Sequence, residues 1–137
     1  MKPKLSKAQY ELLATFRYAL RRFLHFSETA AHRAGITPQH HQALLAIKGF
    51  PGRQPILVGQ LADRLQIAHH SAVGLADRLV RQGYVKRRRD SADRRRVHLS
   101  LTSKGQRVLD RLSASHKAQL RQIRRPLERL LKQLAPT

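Results

Sequence analysis

The sequence contains no cysteine and few acidic residues, and both shortages restrict what the chain can do. Without cysteine, the 137 residues can form no disulfide, no thiolate redox sensor and no cysteine-based zinc site. Only 8 acidic residues stand against 28 Lys and Arg, so the formal net charge is +20. This excess is larger than solubility requires and indicates nucleic acid, an anionic membrane surface or an acidic protein as partner. A duplex is favoured because neutralising its phosphates releases counterions.

Long apolar runs are missing as well. No stretch approaches the roughly 18 residues of a membrane span, and the N-terminal sequence MKPKLSKAQY has no apolar signal core. A cytoplasmic protein without a membrane partner is therefore expected. The hydrophobic fraction of 41% is sufficient for a core, and the length suits a single domain over residues 1–137.

Signatures of catalysis and of metal binding are equally weak. The sequence has no glycine-rich phosphate loop, nucleophile motif or paired acidic motif, so we expect neither an enzyme nor a cofactor. His40, His41 and His116 could in principle meet at a zinc ion, which leaves a metal-responsive sensor as one alternative. No recognisable ligand spacing supports that hypothesis, and adjacent histidines point in different directions on a helix. They are expected instead at the surface or at a dimer contact.

The apolar residues at the two ends of the chain recur at helical spacing. Helices are predicted over 6–33 and 103–121, and Pro126 is expected to restart or kink the chain before a last helix. The first and the last of these helices carry more apolar surface than a small lobe can cover, which indicates a homodimer; the alternative is that they pack on each other within one chain. The residues predicted at the dimer contact are Leu13, Phe16, Leu20, Phe23, Leu127, Leu130, Leu131 and Leu134.

The middle of the chain begins with a clear helix start at Thr37-Pro38, with Thr37 as the N-cap. Beyond the loop GFPGRQP at residues 49–55, a short helix is followed by the tight turn Gln66-Ile67-Ala68 and by a second helix over 69–82. Two short helices joined by a three-residue turn are typical of a helix-turn-helix. The inward stripe of the second helix is predicted to be Ala72, Leu75, Ala76 and Leu79.

The outward face of that second helix has the chemistry of a recognition helix. Such a helix reads the major groove with residues near its N-terminus. Imidazole, hydroxyl and guanidinium groups can bond base edges or phosphates, and a valine can contact a thymine methyl group. The alternative is an ordinary solvated helix surface. The predicted DNA-binding residues are His69, His70, Ser71, Val73, Gly74, Arg78 and Arg81.

A basic hairpin is predicted next in the chain. The stretch KRRRDSADRRR, residues 86–96, is cationic at seven of its eleven positions. Strand-like alternation of apolar and polar residues follows it over Val97–Leu101. A partner strand is therefore predicted over Tyr84–Arg88, with residues 89–95 as the loop. The alternative is a solvated loop without fixed structure.

An arginine-rich hairpin suits the minor groove, whose negative potential attracts guanidinium groups. Arg94 and Arg95 are predicted nearest the tip. Asp93 is unusual beside phosphate and is expected to support the hairpin by holding a neighbouring arginine through hydrogen bonds. The DNA-binding residues predicted in the hairpin are Arg88, Arg89, Arg94, Arg95 and Arg96.

These segments together resemble the MarR family of winged helix-turn-helix regulators. The likeness rests on VGQLADRLQIAHHSAVGLADRLVRQGYVKRRRDSADRRRVHLSLTSKG and, within it, on the motif D-x-R-x5-L-T formed by Asp93, Arg95, Leu101 and Thr102. The resemblance implies a mostly α fold, with residues 37–101 as a winged helix-turn-helix lobe that carries a small β-hairpin wing. It implies that 6–34 and 103–135 are dimerisation helices.

The resemblance also implies a function. It predicts a transcriptional regulator that binds double-stranded DNA at a palindromic operator as a homodimer, usually as a repressor. Effectors in the family often bind between the dimerisation helices and the DNA-binding lobe, so a small aromatic or anionic effector is expected. The chain departs from the family at Ala68, where Ser or Thr often caps the recognition helix. The alternative function from another class is a nonspecific DNA- or RNA-binding architectural protein, which would need only phosphate contacts.

Overall fold

The computed structural model describes residues 4–134, apart from the side chain of Leu134. The chain forms two compact units: one comprises the chain up to Ala30 and from Ser113 onward, and the other comprises Ala31–Leu112. The predicted fold class is confirmed, because five helices accompany one small antiparallel sheet. The elements are α1 (Lys7–Arg33), α2 (Pro38–Lys48), β1 (Ile56–Leu57), α3 (Val58–Leu65), α4 (His69–Arg81), β2 (Val85–Arg89), β3 (Val97–Leu101) and α5 (Ser103–Leu134).

The start of α2 follows from local chemistry. The Thr37 hydroxyl accepts a hydrogen bond from the His40 backbone N–H at 3.0 Å, and Pro38 occupies the first turn. The hydroxyl satisfies one of the N–H groups that a helix leaves unpaired at its N-terminus, and proline has no N–H to leave unpaired. The predicted N-cap is therefore confirmed.

The sheet has the strand order β1-β3-β2. The hairpin between β2 and β3 is displaced by one residue from its prediction, because Arg89 pairs with Val97 and the loop spans residues 90–96. Tyr84 does not join the strand. Its N–H bonds to the Leu79 carbonyl and thus closes the end of α4, next to Gly83 at φ +81°. The positive φ, which glycine adopts without penalty, turns the chain from helix into strand.

The core of the unit Ala31–Leu112 combines one face of each helix with one face of the sheet. The inward stripe predicted for α4 is buried as expected. Full burial of a leucine or valine side chain contributes roughly 1.5–3 kcal/mol, so this core holds α4 against the sheet. The largest fully buried side chains are Leu44, Ile56, Leu61, Leu75, Leu79, Val85 and Leu99.

The C-terminal helix is continuous, so of the two events expected at Pro126, a restart or a kink, the restart is wrong. Helix α5 runs from Ser103 through Pro126 to Leu134. A proline in a helix lacks one N–H and crowds the carbonyl four residues earlier, at a cost of about 3 kcal/mol. On either side of the proline the helix keeps its contacts: Arg124 donates to Glu128 at 2.8 Å across it, and Leu130 beyond it is buried.

None of the helices within residues 4–134 is long and apolar enough to cross a membrane.

The first turn of α4 lacks a side-chain cap, which leads to a stability prediction. Ala68 occupies the N-cap position with φ −65° and ψ 151°, and no side chain bonds the exposed helix N–H groups. We expect Ala68→Ser to raise the free energy of unfolding by about 1 kcal/mol, because its hydroxyl can accept from the Ser71 N–H. Urea unfolding of the parent, Ala68→Ser and Ala68→Val measures the three free energies of unfolding. Ala68→Val is the control, because a valine side chain cannot accept a hydrogen bond from the helix N–H groups. Equal midpoints for Ser and Val would contradict the prediction.

Candidate nucleic-acid interface

The turn between α3 and α4 directs one face of α4 outward. Gln66 adopts a left-handed conformation at φ 55°, and the Ile67 N–H closes α3 by bonding the Ala62 carbonyl. The stripe through Leu75 and Leu79 is buried, so the opposite face of α4 meets solvent. The predicted recognition residues lie on that face. His69, His70, Val73, Arg78 and Arg81 are exposed, and Ser71 and Gly74 are half-buried.

The basic hairpin is ordered to its tip by backbone bonds. The Asp90 N–H bonds the Arg96 carbonyl at 2.9 Å, and the Arg96 N–H bonds the Asp93 carbonyl at 3.0 Å. Arg94 and Arg95 occupy the corner of this last turn. The hairpin is therefore a shaped element and not the unstructured loop considered as an alternative.

One carboxylate and one backbone carbonyl hold two arginines of the hairpin, Arg95 and Arg89. One Asp93 oxygen accepts from the Arg95 N–H at 3.0 Å and from the Arg95 Nε at 3.3 Å, while the Arg95 side chain remains 93% exposed. The Arg89 guanidinium donates to the Arg94 carbonyl at 3.0 Å. The aspartate thus sets the direction of Arg95 and leaves it accessible to a partner.

An ion pair joins the hairpin to α4. The Arg87 guanidinium lies 2.5 Å from the Asp77 carboxylate, and both side chains are nearly half exposed. A pair this exposed contributes at most about 1 kcal/mol of stability. It links the side chains of β2 and α4, whose relative position the shared core sets. No local sequence pattern signals this partner ten residues away.

His98 is a site residue that the sequence analysis missed. Strand alternation placed it on the solvent side of β3, whereas it is buried at the base of the hairpin. Its Nδ1 lies 2.8 Å from the Pro55 carbonyl oxygen, and its Nε2 lies 3.3 Å from an Asp90 carboxylate oxygen. The loop at residues 49–55 covers the face that alternation left open, which no pattern within the strand could indicate.

The pKa of the Asp90 carboxyl is lowered, chiefly because it accepts a hydrogen bond from the Ala92 backbone N–H. The hydrogen bond with His98 lowers this pKa further. The carboxylate is therefore ionised at neutral pH. Asp90 thus holds the arginine-rich loop through its bonds with Ala92 and His98.

His40, His41 and His116 were expected at the surface or at a dimer contact; all three are buried, so the surface position is wrong, and the dimer contact stays a prediction. Burial, followed by the charge of Arg78, lowers the pKa of His40. Within residues 4–134, no group of three His, Asp or Glu side chains is placed to hold a metal ion.

The residues predicted at a dimer contact lie on α1 and α5. Leu130 is buried and Leu131 is exposed. The Phe23 ring meets the His116 ring edge-on, at 5.7 Å between centroids. Leu134 ends α5, and its side chain and residue 135 lie outside the described part of the chain. The remaining predicted residues are half-buried: Leu13, Phe16, Leu20, Phe23 and Leu127.

Comparison with known proteins identifies this arrangement. The model of the MarR family matches residues 34–96, which contain α2, the helix-turn-helix and most of the hairpin. No curated protein matches the chain significantly.

Solved structures share the fold over nearly the whole length. AbsC, a MarR family transcriptional regulator from Streptomyces coelicolor, aligns with a TM-score of 0.73 at 20% identity, over 98% of this chain and 95% of AbsC. A MarR family protein from Bacillus stearothermophilus aligns with a TM-score of 0.72 at 22% identity, over 97% and 86% of the chains. A mutant of S. aureus MepR bound to an oligodeoxyribonucleotide aligns with a TM-score of 0.67 at 16% identity, over 96% and 99%. The chain therefore matches the MarR family model over residues 34–96, and over nearly its full length it shares the fold of solved MarR family proteins.

Proposed function

We propose that this protein recognises a specific double-stranded DNA sequence, binds a palindromic operator as a homodimer and acts as a ligand-responsive repressor. The observation that carries the proposal is the pairing of an exposed recognition face with an ordered arginine hairpin. Both belong to the unit Ala31–Leu112, whose core sets their relative position, and the Arg87–Asp77 pair links them at the surface. A relative of the same fold, the MepR mutant, is bound to an oligodeoxyribonucleotide, which supports DNA as the partner.

The proposal assigns base recognition to the first turns of α4. His70 and Ser71 bond base edges in the major groove, and the exposed Val73 contacts a thymine methyl group. Gly74 permits close approach of the helix to the duplex. The long side chains of Arg78 and Arg81, toward the C-terminus of α4, reach phosphates or a guanine edge.

The hairpin supplies contacts in the flanking minor groove. Arg94 and Arg95 at the corner of the turn enter the groove, where the negative potential is strongest in A·T-rich sequence. The other hairpin cations neutralise phosphates and contribute affinity without base preference. Asp93 orients Arg95 through the two hydrogen bonds described above.

The homodimer is proposed because α1 and α5 leave large apolar side chains uncovered. Exposed side chains of this kind cluster on these two helices, and a second copy of the same surface could cover them. Two recognition helices related by a two-fold axis then read half-sites about one DNA turn apart, roughly 34–36 Å. The exposed side chains are Tyr10, Tyr18, Leu24, Leu120 and Leu131.

A protein that binds operator DNA in this way would act in the cytoplasm, which is the location we propose.

A small aromatic or anionic molecule is the effector class we propose, because a chain with a net charge of +20 attracts anions at long range. Such an effector lowers operator affinity if it binds the DNA-free form more tightly than the DNA-bound form.

Selection of bound genomic fragments followed by footprinting tests the proposal. We expect a short protected site with two-fold sequence symmetry, and release of the protein from this site by some member of a panel of small aromatic acids. Continuous protection without a preferred sequence would instead support an architectural coating protein. Protection that no acid reverses would contradict the ligand-responsive part alone.

A further inference from the structure

The His98 side chain connects three segments at the base of the hairpin. It projects from β3, one ring nitrogen faces the Pro55 carbonyl from the preceding loop, and the other faces Asp90 at the start of the hairpin loop. The side chains of His98 and Asp90 are only 8% and 21% exposed. Water therefore competes weakly for these bonds, so the protonation state of the ring matters for the geometry of the hairpin.

Both ring nitrogens of His98 face hydrogen-bond acceptors. A carbonyl oxygen can only accept, so Nδ1 must carry a proton. An ionised carboxylate can also only accept, so Nε2 must carry a proton as well. A neutral imidazole has one proton and would direct a lone pair at one of the two oxygens. Both contacts are favourable only for the doubly protonated imidazolium.

We propose that His98, as a buried imidazolium, is a positioning residue that fixes the arginine hairpin for DNA and makes DNA binding depend on pH. The inference rests on the DNA-binding function proposed above. When the ring loses its Nε2 proton, the bond to Asp90 is lost and the base of the hairpin loosens. Asp90 also accepts from the Ala92 N–H at 2.8 Å, so the disturbance reaches the turn that carries the arginines.

The other charges around His98 oppose its protonation. Arg88 is its cross-strand partner on β2, and Arg53 from the loop at residues 49–55 lines the same cleft, together with Arg89 and Arg96. The remaining neighbours from β1 and α3, Leu57 and Gln60, are neutral. The arginines are exposed and screened by solvent, whereas Asp90 and the Pro55 carbonyl touch the ring.

DNA binding and protonation of His98 therefore favour each other. Phosphates that approach the surrounding arginines neutralise the charges that oppose the imidazolium, so the complex retains the proton more readily than the free protein. By linkage, DNA affinity is highest where His98 is doubly protonated and Asp90 is ionised, and it falls where the Nε2 proton is lost. At strongly acidic pH, protonation of Asp90 also breaks the contact.

Asp90→Asn is the matched variant, because an asparagine can satisfy a neutral His98. Its amide N–H₂ donates to Nε2 while its carbonyl keeps the bond from the Ala92 N–H, so the hairpin base remains joined at high pH. We expect the affinity of the parent for its operator duplex to fall about tenfold from about pH 6 to about pH 8.5 because one charge-assisted bond is lost. The pH dependence of Asp90→Asn should be at most about threefold over the same range. His32→Gln, which removes an exposed histidine outside both α4 and the hairpin, should retain the pH-dependent fall of the parent.

A measurement without DNA separates this inference from the proposed function. In the free parent, ring ¹⁵N spectra should show both nitrogens of His98 protonated at the acidic end of this range, whereas in Asp90→Asn they should show a singly protonated ring. Protection of the Asp90 amide, corrected for intrinsic exchange, should fall with rising pH in the parent but not in the variant. A singly protonated His98 throughout the range, or equal pH profiles for parent and variant, overturns the proposal. Failure of operator binding with the spectra as expected overturns only the function.

Discussion

Arg95→Ala should weaken operator binding about 10- to 100-fold while leaving the protein folded. The Arg95 side chain is 93% exposed, so its loss removes almost no packing, and the free energy of unfolding should change by less than about 0.5 kcal/mol. The effect on DNA is large because Asp93 already holds the guanidinium in position, so little conformational entropy is lost on binding. Titration of a labelled operator duplex at several salt concentrations measures this loss of affinity.

Arg121→Ala is the control for Arg95→Ala. It removes the same charge from an exposed position on α5, so the long-range attraction to DNA falls equally. We expect this control to lose at most about twofold in operator affinity. Only the hairpin variant should reduce the slope of log affinity against log salt concentration, by about one. Equal affinities of the two variants would refute the assignment of the hairpin to the minor groove.

Gly105→Ala should destabilise the unit Ala31–Leu112 by about 3 kcal/mol. A Cβ at position 105 would overlap the Tyr84 carbonyl oxygen. Neither side can easily give way. Thr102 ties the start of α5 to the same segment, as its N–H bonds the Tyr84 carbonyl at 3.0 Å and its hydroxyl bonds the Gly83 carbonyl. A fall of roughly 10 °C or more in the thermal midpoint is the expected readout.

Gly74→Ala is the matched control for Gly105→Ala, since both glycines lie inside helices. At position 74 the nearest atom to an added Cβ is the end of the flexible Arg78 side chain, at 3.4 Å. Replacing a helical glycine with alanine in such a place stabilises by up to about 1 kcal/mol. Opposite signs for the two substitutions are expected. If Gly105→Ala is also stabilising, α5 can move away from Tyr84.

Features governed by neighbours along the chain were predictable from the sequence. The Thr37-Pro38 helix start, the buried stripe of α4 and the existence of the hairpin all follow from spacing over a few residues. Each depends on helical or strand periodicity or on a cap, and these act locally. The displacement of the hairpin by one residue shows the limit, because Tyr84 bonds back to α4 and not forward into the strand.

Features that depend on contacts distant in sequence were not predictable. The burial of His98 arises from a loop 43 residues earlier in the chain, and the Arg87–Asp77 pair crosses the turn after α4. The continuity of α5 through Pro126 reflects a balance of several small terms, which a residue-by-residue rule about proline does not contain. The DNA contacts assigned to individual residues of α4 and the hairpin stay predictions until the variants are measured.

The fixed placement of the hairpin beside α4, where Arg87 pairs with Asp77, constrains the spacing of the DNA segments that the two elements contact. Because the helix and the hairpin are held at one separation, the base pairs read in the major groove and the narrow flanking segment must be spaced to match. Insertion of a single base pair between them rotates one relative to the other by about 34–36°, given roughly 10 base pairs per turn. Operators should therefore tolerate changes of sequence in this interval far better than changes of its length.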